Sequence, residues 1–503
     1  MVPWQIDGNV VPFPLLGNTI LLVLAVACLA IPLGFIFAFL ITRTNFRLST
    51  VAQSIVLAML LVPAFIHVAA WDAGFGLQGW ISRNVGAGVI LLDGWPGAIW
   101  VYTMSVLPWV IFIIGIFLLR VPSELEEMAA TEMSPFHVLR YVSLRYALPG
   151  FIGAFLWISI VVANEVTITD VYQIRTYAEE VYAGFALGDT LQEAQARVVP
   201  GVLLIAAISV AAYKLGTTLL PQNTTTNSEK RFVFRIDSYH GIVSLVLAFG
   251  LILLVLLPLV NLCFKAGVTV TQMGELRVRS WSPVKMVRIV AESPIRFSSE
   301  IAWSLVLGQL AAISSVAFAI LAAWYGRIKW IGIPALVVAL VGAAIPGPIL
   351  GLSVVRGLNQ PDVDILSYLY DDTIFAAWLV LSIRTFPFAY LICQFAIRTI
   401  DQQILDSASV EGVSHFRQLL HVVLPILGPQ LIGAWLICLV WAMGELSATI
   451  LAVPPGVTTL AIRIFNLVHY GVEDRLAGIC LFQILVFVPL AVVGIKMIRQ
   501  KQG

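Results

Sequence analysis

The sequence predicts an all-α integral membrane protein of about 11 transmembrane helices, arranged as two tandem parallel repeats. Three observations support this prediction. Of the 503 residues, 60% are hydrophobic and only 11% are charged, against roughly 25% charged in average soluble domains. Apolar runs long enough to cross a bilayer recur along the chain, and its two halves repeat one another. A water-soluble fold is excluded, because so few charged residues cannot cover its surface.

The apolar runs predict helices of about 20 residues, the length at which a helix satisfies its own backbone across the hydrocarbon core. The predicted spans are 16–42, 52–71, 96–119, 148–170, 198–219, 240–264, 300–325, 331–355, 374–397, 428–450 and 475–497. Lys and Arg concentrate in one set of short loops. Because such loops face the cytoplasm, we expect the N-terminus outside and the C-terminus in the cytoplasm.

The chain contains an internal duplication. A shift of 280 residues, the separation between Glu165 and Glu445, also places Pro149 on Pro429 without a gap. Apolar similarity between membrane helices does not explain why prolines and polar residues fall in step. Both copies run from an inner loop into a helix in the same direction, so the repeat is parallel rather than inverted.

The duplication divides the chain into a first half, 1–220, and a second half, 240–503. Residues 221–239 form a polar linker rich in Thr and Asn, which is typical of a joint on the cytoplasmic side. The second half opens with one additional helix and a long outer loop, 265–298. By comparison, the first half lacks one N-terminal helix.

Two inner loops, 120–147 and 398–427, are long and amphipathic. In the second loop Gly412 suits the end of a short helix, Ser414 suits the start of another, and Pro425 marks its limit. We therefore predict a helix, a sharp turn and a second helix at the cytoplasmic surface in each loop. We call these loops the first elbow and the second elbow.

The second elbow resembles the EAA loop of the permease subunits of binding-protein-dependent ABC importers. Residues at the spacing of that motif are Asp406, Ala408, Gly412, Val422, Leu424 and Pro425. Asp406 replaces the usual Glu, and Ser407 replaces the first Ala.

The first elbow is a degenerate version of the same motif. In the 280-residue register Glu126 matches the acidic position, Glu132 stands where Gly is expected, and Arg145 replaces the Pro. Ser134 and Pro135 align with the start of the second helix in the second elbow.

The resemblance implies that both elbows are coupling helices on two ATP-binding cassette ATPase subunits, and that an extracytoplasmic binding protein delivers the solute. The sequence has no Gly-x-x-x-x-Gly-Lys-Ser/Thr motif, and no Lys precedes Ser or Thr, so we expect ATP on the partner subunits and no cofactor in this chain. The implied location is the bacterial inner membrane. The net charge of +1, without a basic block, gives no indication of a nucleic-acid partner.

The segment 441–465 resembles the second half of the fused iron(III)-type permeases, where Gly-Glu-Leu-x-Ala-Thr precedes Pro-Pro-Gly. Iron(III) is therefore the expected solute, with thiamine, sulfate, polyamine and phosphonate as alternatives.

A secondary transporter would explain the helices but not the paired elbows. The six scattered histidines do not form the cluster that a membrane enzyme needs. We predict no catalytic residue and no metal ligand, and the five cysteines all lie in apolar runs.

Three ionisable residues, Glu165, Arg384 and Glu445, lie at or near membrane depth. A charge at the bilayer centre costs about 2.5–3.5 kcal/mol on insertion scales, so such residues normally face the interior of the bundle. We predict a pseudo-symmetric acidic pair around a solute pathway, with Arg384 as the partner of one acid. The alternative is that both acids lie in water at the outer mouth or serve helix packing.

Overall fold

A computed structural model describes residues 12–77, 79–85, 91–180, 232–235, 240–273, 276–327, 329–360, 362–471 and 473–499. The predicted helix 198–219 lies outside these residues, as does all of the predicted linker except 232–235. Within the described ranges the protein is a bundle of helices with one β-hairpin.

In the first half, a long helix, a bent pair of helices and one further full span precede the first elbow. Its helices are α1 (Pro12–Arg43), α2 (Ser49–Met59), α3 (Ala64–Phe75), α4 (Trp80–Val85), α5 (Gly94–Leu118), α6 (Ser123–Glu132), α7 (Pro135–Val138), α8 (Leu144–Asn164) and α9 (Thr167–Val171). A π-helical turn, Leu139–Ser143, joins α7 to α8.

The second half repeats this order after one additional helix and a hairpin. Its elements are α10 (His240–Leu251), α11 (Leu257–Gly267), β1 (Val268–Met273), β2 (Leu276–Trp281), α12 (Pro283–Arg296), α13 (Ser298–Tyr325), α14 (Lys329–Ala344), α15 (Gly347–Leu358), α16 (Asp364–Asp371), α17 (Phe375–Arg398), α18 (Gln402–Val410), α19 (His415–Gln418), α20 (Leu424–Ile426), α21 (Gly428–Gly444), α22 (Thr449–Ala452), α23 (Leu460–Tyr470) and α24 (Glu473–Arg499). Two π-helical turns, Ile252–Leu256 and Leu419–Val423, join α10 to α11 and α19 to α20.

The all-helical membrane fold is confirmed. Seven helices in the described part of the chain are long and apolar enough to cross a bilayer, and three further pairs pass the same test as bent spans. The prediction that 52–71 and 331–355 are single helices is wrong. The chain bends by 104° between α2 and the segment Ala64–Asn84, and by 111° between the end of α14 and α15.

Proline explains both bends. Pro63 and Pro346 have φ, ψ of −64°, 153° and −54°, 140° and stand immediately before α3 and α15. Proline has no N–H to continue a helix, and it forces the residue before it out of the α region. The bend therefore occupies the same place in both halves.

The predicted outer loop, 265–298, has regular structure of its own. β1 and β2 pair antiparallel, with Val268 opposite Trp281. The side chain of Ser282 then accepts the backbone N–H of Lys285 and begins α12. The loop is thus a hairpin followed by a helix that leads directly into α13.

The hydrophobic cores join the two halves. Val243 and Leu247 of α10 are buried in a cluster formed mostly by α1, α5 and α8. In the opposite sense, Phe65 and Ile66 of α3 are buried with residues of α23 and α24. The division at 221–239 stays a prediction from sequence, and the packing on either side of it is interlocked.

Candidate functional site

The three charged residues predicted at membrane depth line one cavity between the halves. Glu165, Arg384 and Glu445 face a space of about 120 Å³, whose other walls are mostly apolar and aromatic side chains of both halves. The structure brings these residues together although they come from three different helices. Their role in a solute pathway stays a prediction.

Glu165 and Glu445 occupy the same structural position in the two halves. Each directly follows a long helix, α8 or α21, and each has an extended backbone, with φ, ψ of −87°, 124° and −79°, 120°. A carboxylate oxygen of Glu165 accepts the N–H of Thr167 at 2.9 Å, and one of Glu445 accepts the N–H of Ala448 at 3.1 Å. The acids end their helices before the predicted limits of 170 and 450, because each side chain binds the backbone of the turn that follows.

Arg384 is the basic partner at this level. Its Nε lies 3.4 Å from Oε2 of Glu445, and Nη1 donates to the backbone oxygen of Ile345 at 3.2 Å. Both side chains of the pair are about nine-tenths buried. The prediction that Arg384 partners one of the two acids agrees with this geometry.

The cavity is asymmetric in charge although its helices repeat. Arg384 lies three residues before Pro387 in α17, and Ser105 lies three residues before Pro108 in α5. Both Arg384 and Ser105 line the cavity. One half therefore contributes an acid and a hydroxyl, and the other contributes an acid and a guanidinium.

Four aromatic rings form what we call the aromatic floor: Trp109, Trp157, Phe388 and Trp441. Ring centroids lie 4.4 Å apart for Trp109 and Trp157 and 4.3 Å apart for Phe388 and Trp441, which are pairs within one half. Across the halves, Trp157 and Phe388 are 5.9 Å apart. In each half the rings lie nearer to the elbow than the charged residues Glu165, Arg384 and Glu445 do. The aromatic floor therefore lies between these charged residues and the elbows.

Both elbows lie on the same side of the cavity. α8 leaves the first elbow and ends at Glu165, whereas α21 leaves the second elbow and ends at Glu445. The two acids line one cavity, and Trp157 and Trp441, which precede them in α8 and α21, have ring centroids 6.2 Å apart. Because the two helices meet at both levels in the same order, they run in the same direction, and their elbow ends lie on one face of the bundle.

The first elbow is held to the bundle by a buried ion pair. Glu126 has no exposed surface and pairs with Arg43 at the end of α1, which is 2% exposed. Ser143 donates its Oγ–H to Glu126 at 2.6 Å. Burial raises the pKa of Glu126, against the opposing effects of Ser143 and Arg43. Ser134 and Pro135 begin α7, as predicted for the second helix of the elbow.

The second elbow has the predicted helix, turn and helix. Asp401 caps α18 by accepting the N–H of Gln403 at 2.9 Å. Gly412 has φ +79°, a left-handed conformation that glycine adopts without strain. Ser414 begins α19, but its side chain makes no capping hydrogen bond. The bend after this elbow is 79° and follows Ile426, so Pro425 does not itself end the helix.

The remaining predicted residues of the second elbow lie on or near its surface. Asp406 is exposed and accepts a hydrogen bond from Gln402 at 2.8 Å, and Ala408 is half-buried. In the short helix α20, Leu424 is half-buried and Pro425 is exposed. A bond that sequence reasoning missed holds the elbow together, since Gln418 donates to the backbone oxygen of Val413 at 2.9 Å.

The structure shifts the correspondence between the two elbows by one residue. Pro122 and Asp401 begin α6 and α18 with nearly identical φ, ψ of −62°, 124° and −62°, 125°. Counted from these caps, buried Glu126 corresponds to buried Leu405 and not to exposed Asp406. The first elbow is one residue shorter and lacks a left-handed glycine, which is why a gapless alignment misplaces its acidic residue.

Comparison with known proteins shows that residues 315–499 match the family of binding-protein-dependent transport system inner membrane components. This confirms the resemblance found in the second elbow. The family description is that of a transport component rather than an enzyme.

Three relatives illustrate the range of named transport systems. Proteins of Salmonella paratyphi A and Salmonella typhimurium named as 2-aminoethylphosphonate transport system permeases are each 33% identical over 143 residues, 28% of this chain and 51% of the relative. A protein of Bacillus subtilis named as a molybdenum transport system permease is 26% identical over 177 residues, 32% of this chain and 78% of the relative. The chain thus spans about half the length of the two Salmonella relatives.

Proposed function

We propose that this chain is the permease of an ATP-driven importer, and that the solute crosses between its two halves through the charged cavity. The observation that carries the proposal is the position of the two elbows on one face of the bundle, opposite the two acids. Such an arrangement lets rigid surface elements that are continuous with α8 and α21 move the helices that close the cavity.

The elbows present matched apolar side chains that fit a docking partner. Phe136 and Phe416, 65% and 53% exposed, occupy the same place one residue into α7 and α19. Exposed apolar patches of this kind mark interaction sites. We assign one ATPase subunit to each elbow on the cytoplasmic face, and a solute-binding protein to the opposite face, in a bacterial inner membrane.

Two classes of solute follow from different observations. The resemblance of residues 441–465 to iron(III)-type permeases supports iron(III). The names of the relatives instead support an oxyanion, a phosphonate or a molybdenum compound. We place the phosphonate first, because the cavity contains a guanidinium, which binds phosphonate oxygens well, beside the two acids.

Reconstitution tests the proposal. The chain is placed in proteoliposomes with its ATPase and binding protein, and uptake of labelled 2-aminoethylphosphonate, molybdate and ferric citrate is compared with and without ATP. ATP-dependent uptake of one of them is expected, together with loss of ATPase co-purification in the double variant Phe136→Ala, Phe416→Ala. Full uptake by the chain alone, without an ATPase, would contradict the proposal.

A further inference from the structure

Asn164 is an unexplained polar residue of the cavity. It is 4% exposed, and its Oδ1 has no hydrogen-bond partner within the described residues. Its Nδ2 donates to the backbone oxygen of Ile160 at 2.6 Å and lies 3.4 Å from that of Ala343. Asn164 lines the cavity, and its amide oxygen is a buried acceptor without a partner, an arrangement that calls for an explanation.

An acid lies directly beside this acceptor. Glu165 uses one oxygen for the N–H of Thr167 and has no basic partner at ion-pair distance among the described residues, whereas Glu445 has Arg384. Asn164 and Glu165, which both line the cavity, thus offer acceptors only. An ammonium group has donors only, so it suits such a pair.

A donor lies on the other side of the cavity. The Nε of Arg384 is buried, lies 3.4 Å from Oε2 of Glu445, and has no aligned hydrogen-bond acceptor among the described residues. An arriving oxyanion gives this guanidinium a better-aligned acceptor. When both acids are ionised, the two acids and the one guanidinium carry one negative charge in excess, which favours a positively charged group of the solute on the Glu165 side.

We propose that this cavity is a binding site for a small zwitterion that carries an ammonium and an oxyanion, an assignment that rests on the proposed function. Its ammonium lies between Asn164 and Glu165, and its oxyanion at Arg384. The volume of about 120 Å³ suits a solute of a few heavy atoms, because a water occupies roughly 30 Å³ of liquid. 2-Aminoethylphosphonate is a molecule of this chemistry.

Calorimetry on the purified complex of this chain with its ATPase tests the assignment. The probes are 2-aminoethylphosphonate, ethylphosphonate, which lacks the ammonium, and molybdate. We expect 2-aminoethylphosphonate to bind at least about tenfold more tightly than either other probe, since one charge-assisted hydrogen bond is worth about that factor. Asn164→Leu and Arg384→Lys should each remove about tenfold of this affinity. Asn359→Leu, the same change outside the cavity, should remove none.

Separate results overturn separate claims. Equal binding of ethylphosphonate and 2-aminoethylphosphonate, or tighter binding of molybdate than of 2-aminoethylphosphonate, would overturn the zwitterion site. An unchanged affinity in Asn164→Leu would do the same even if Arg384→Lys fails to fold. ATP-driven uptake in proteoliposomes would still stand in each of these cases, whereas failure of the ATPase to associate would overturn the proposed function itself.

Discussion

At the scale of single residues, Gly412 and Glu126 shape the two elbows in different ways. Gly412 makes the turn of the second elbow through its left-handed backbone, and Glu126 attaches the first elbow to the bundle through a buried ion pair. The sequence identified Gly412 correctly as a turn residue, because the positions around it follow helical spacing. It did not reveal that Glu126 is buried, since its partner Arg43 lies in another helix and an arginine at a helix end is usually a solvated one.

Replacing Gly412 by Val should uncouple ATP hydrolysis from uptake. A β-branched residue in the left-handed conformation costs roughly 1–2 kcal/mol, and 1.4 kcal/mol is tenfold in an equilibrium, so uptake should fall about tenfold while membrane insertion persists. Gly357→Val is the matched control, because Gly357 has open space beside it and no positive φ. Normal ATP-driven uptake in Gly412→Val would count against the coupling role.

Breaking the ion pair of the first elbow should destabilise the protein. Glu126→Gln leaves Arg43 buried without a counter-charge, which costs about 3–5 kcal/mol, whereas replacing both partners by apolar residues is often neutral. The double variant Arg43→Met, Glu126→Leu should therefore unfold close to the temperature of the parent, as Leu405 occupies the equivalent place in the second elbow. A double variant as unstable as Glu126→Gln would argue that the charges themselves are required.

At the scale of elements, the bent spans and the start of the second elbow depend on local chemistry that is visible in the sequence. Pro63 and Pro346 bend their helices at equivalent places, and Asp401 begins α18. The apolar runs concealed the bends, because hydropathy averaged over 20 residues does not distinguish a straight helix from a broken one.

The cap of α18 should be worth a measurable amount. Asp401→Ala removes the acceptor for the N–H of Gln403, and loss of such a cap costs about 0.5–2 kcal/mol. We expect a lower thermal midpoint and weaker stimulation of the ATPase, both restored in Asp401→Ser. Gln403→Ala, which keeps the backbone N–H that Asp401 accepts, is the control. Equal effects of the two alanine variants would contradict a specific capping role.

At the scale of the whole molecule, the aromatic floor and a histidine–aspartate pair join the two halves. Trp157 comes from the first half and Phe388 from the second, and their rings are in contact between the charged residues and the elbows. His469 of the second half lies 2.9 Å from Asp170 of the first on the opposite side of the cavity. Neither contact follows from sequence, because each joins residues that are hundreds of positions apart.

Opening the floor should produce a leak. Trp157→Ala removes a ring from the contact across the halves, so small solutes should cross without ATP. Release of a trapped dye from proteoliposomes that contain this chain alone measures the effect. Trp435→Ala, outside the four rings, is the control, and an intact barrier in Trp157→Ala would show that the floor is not the closing element.

The pair of His469 and Asp170 should make the contact between the halves depend on pH. The hydrogen bond to Asp170 raises the pKa of His469, so the protonated form is favoured in the folded state. The stabilisation is fully present below the unfolded pKa of about 6.5 and is lost as pH rises through the raised value. At a partly exposed pair it amounts to less than about 1 kcal/mol. Thermal midpoints measured from pH 5 to 9 should show this loss, and Asp170→Asn should abolish it.

The sequence by itself determined the class of protein, the places of ten spans, the two elbows and the three charged residues of the cavity. Hydropathy and turn chemistry act over short stretches of chain, and the internal repeat is visible when the sequence is compared with itself. Only the tertiary structure decided that Glu126 is buried against Arg43, that Asn164 offers an unpaired acceptor, and that four rings meet under the charged level. Each of these depends on which side chains distant in sequence come into contact. In helices that are apolar on all sides, the sequence has no periodic pattern that shows which side chains meet.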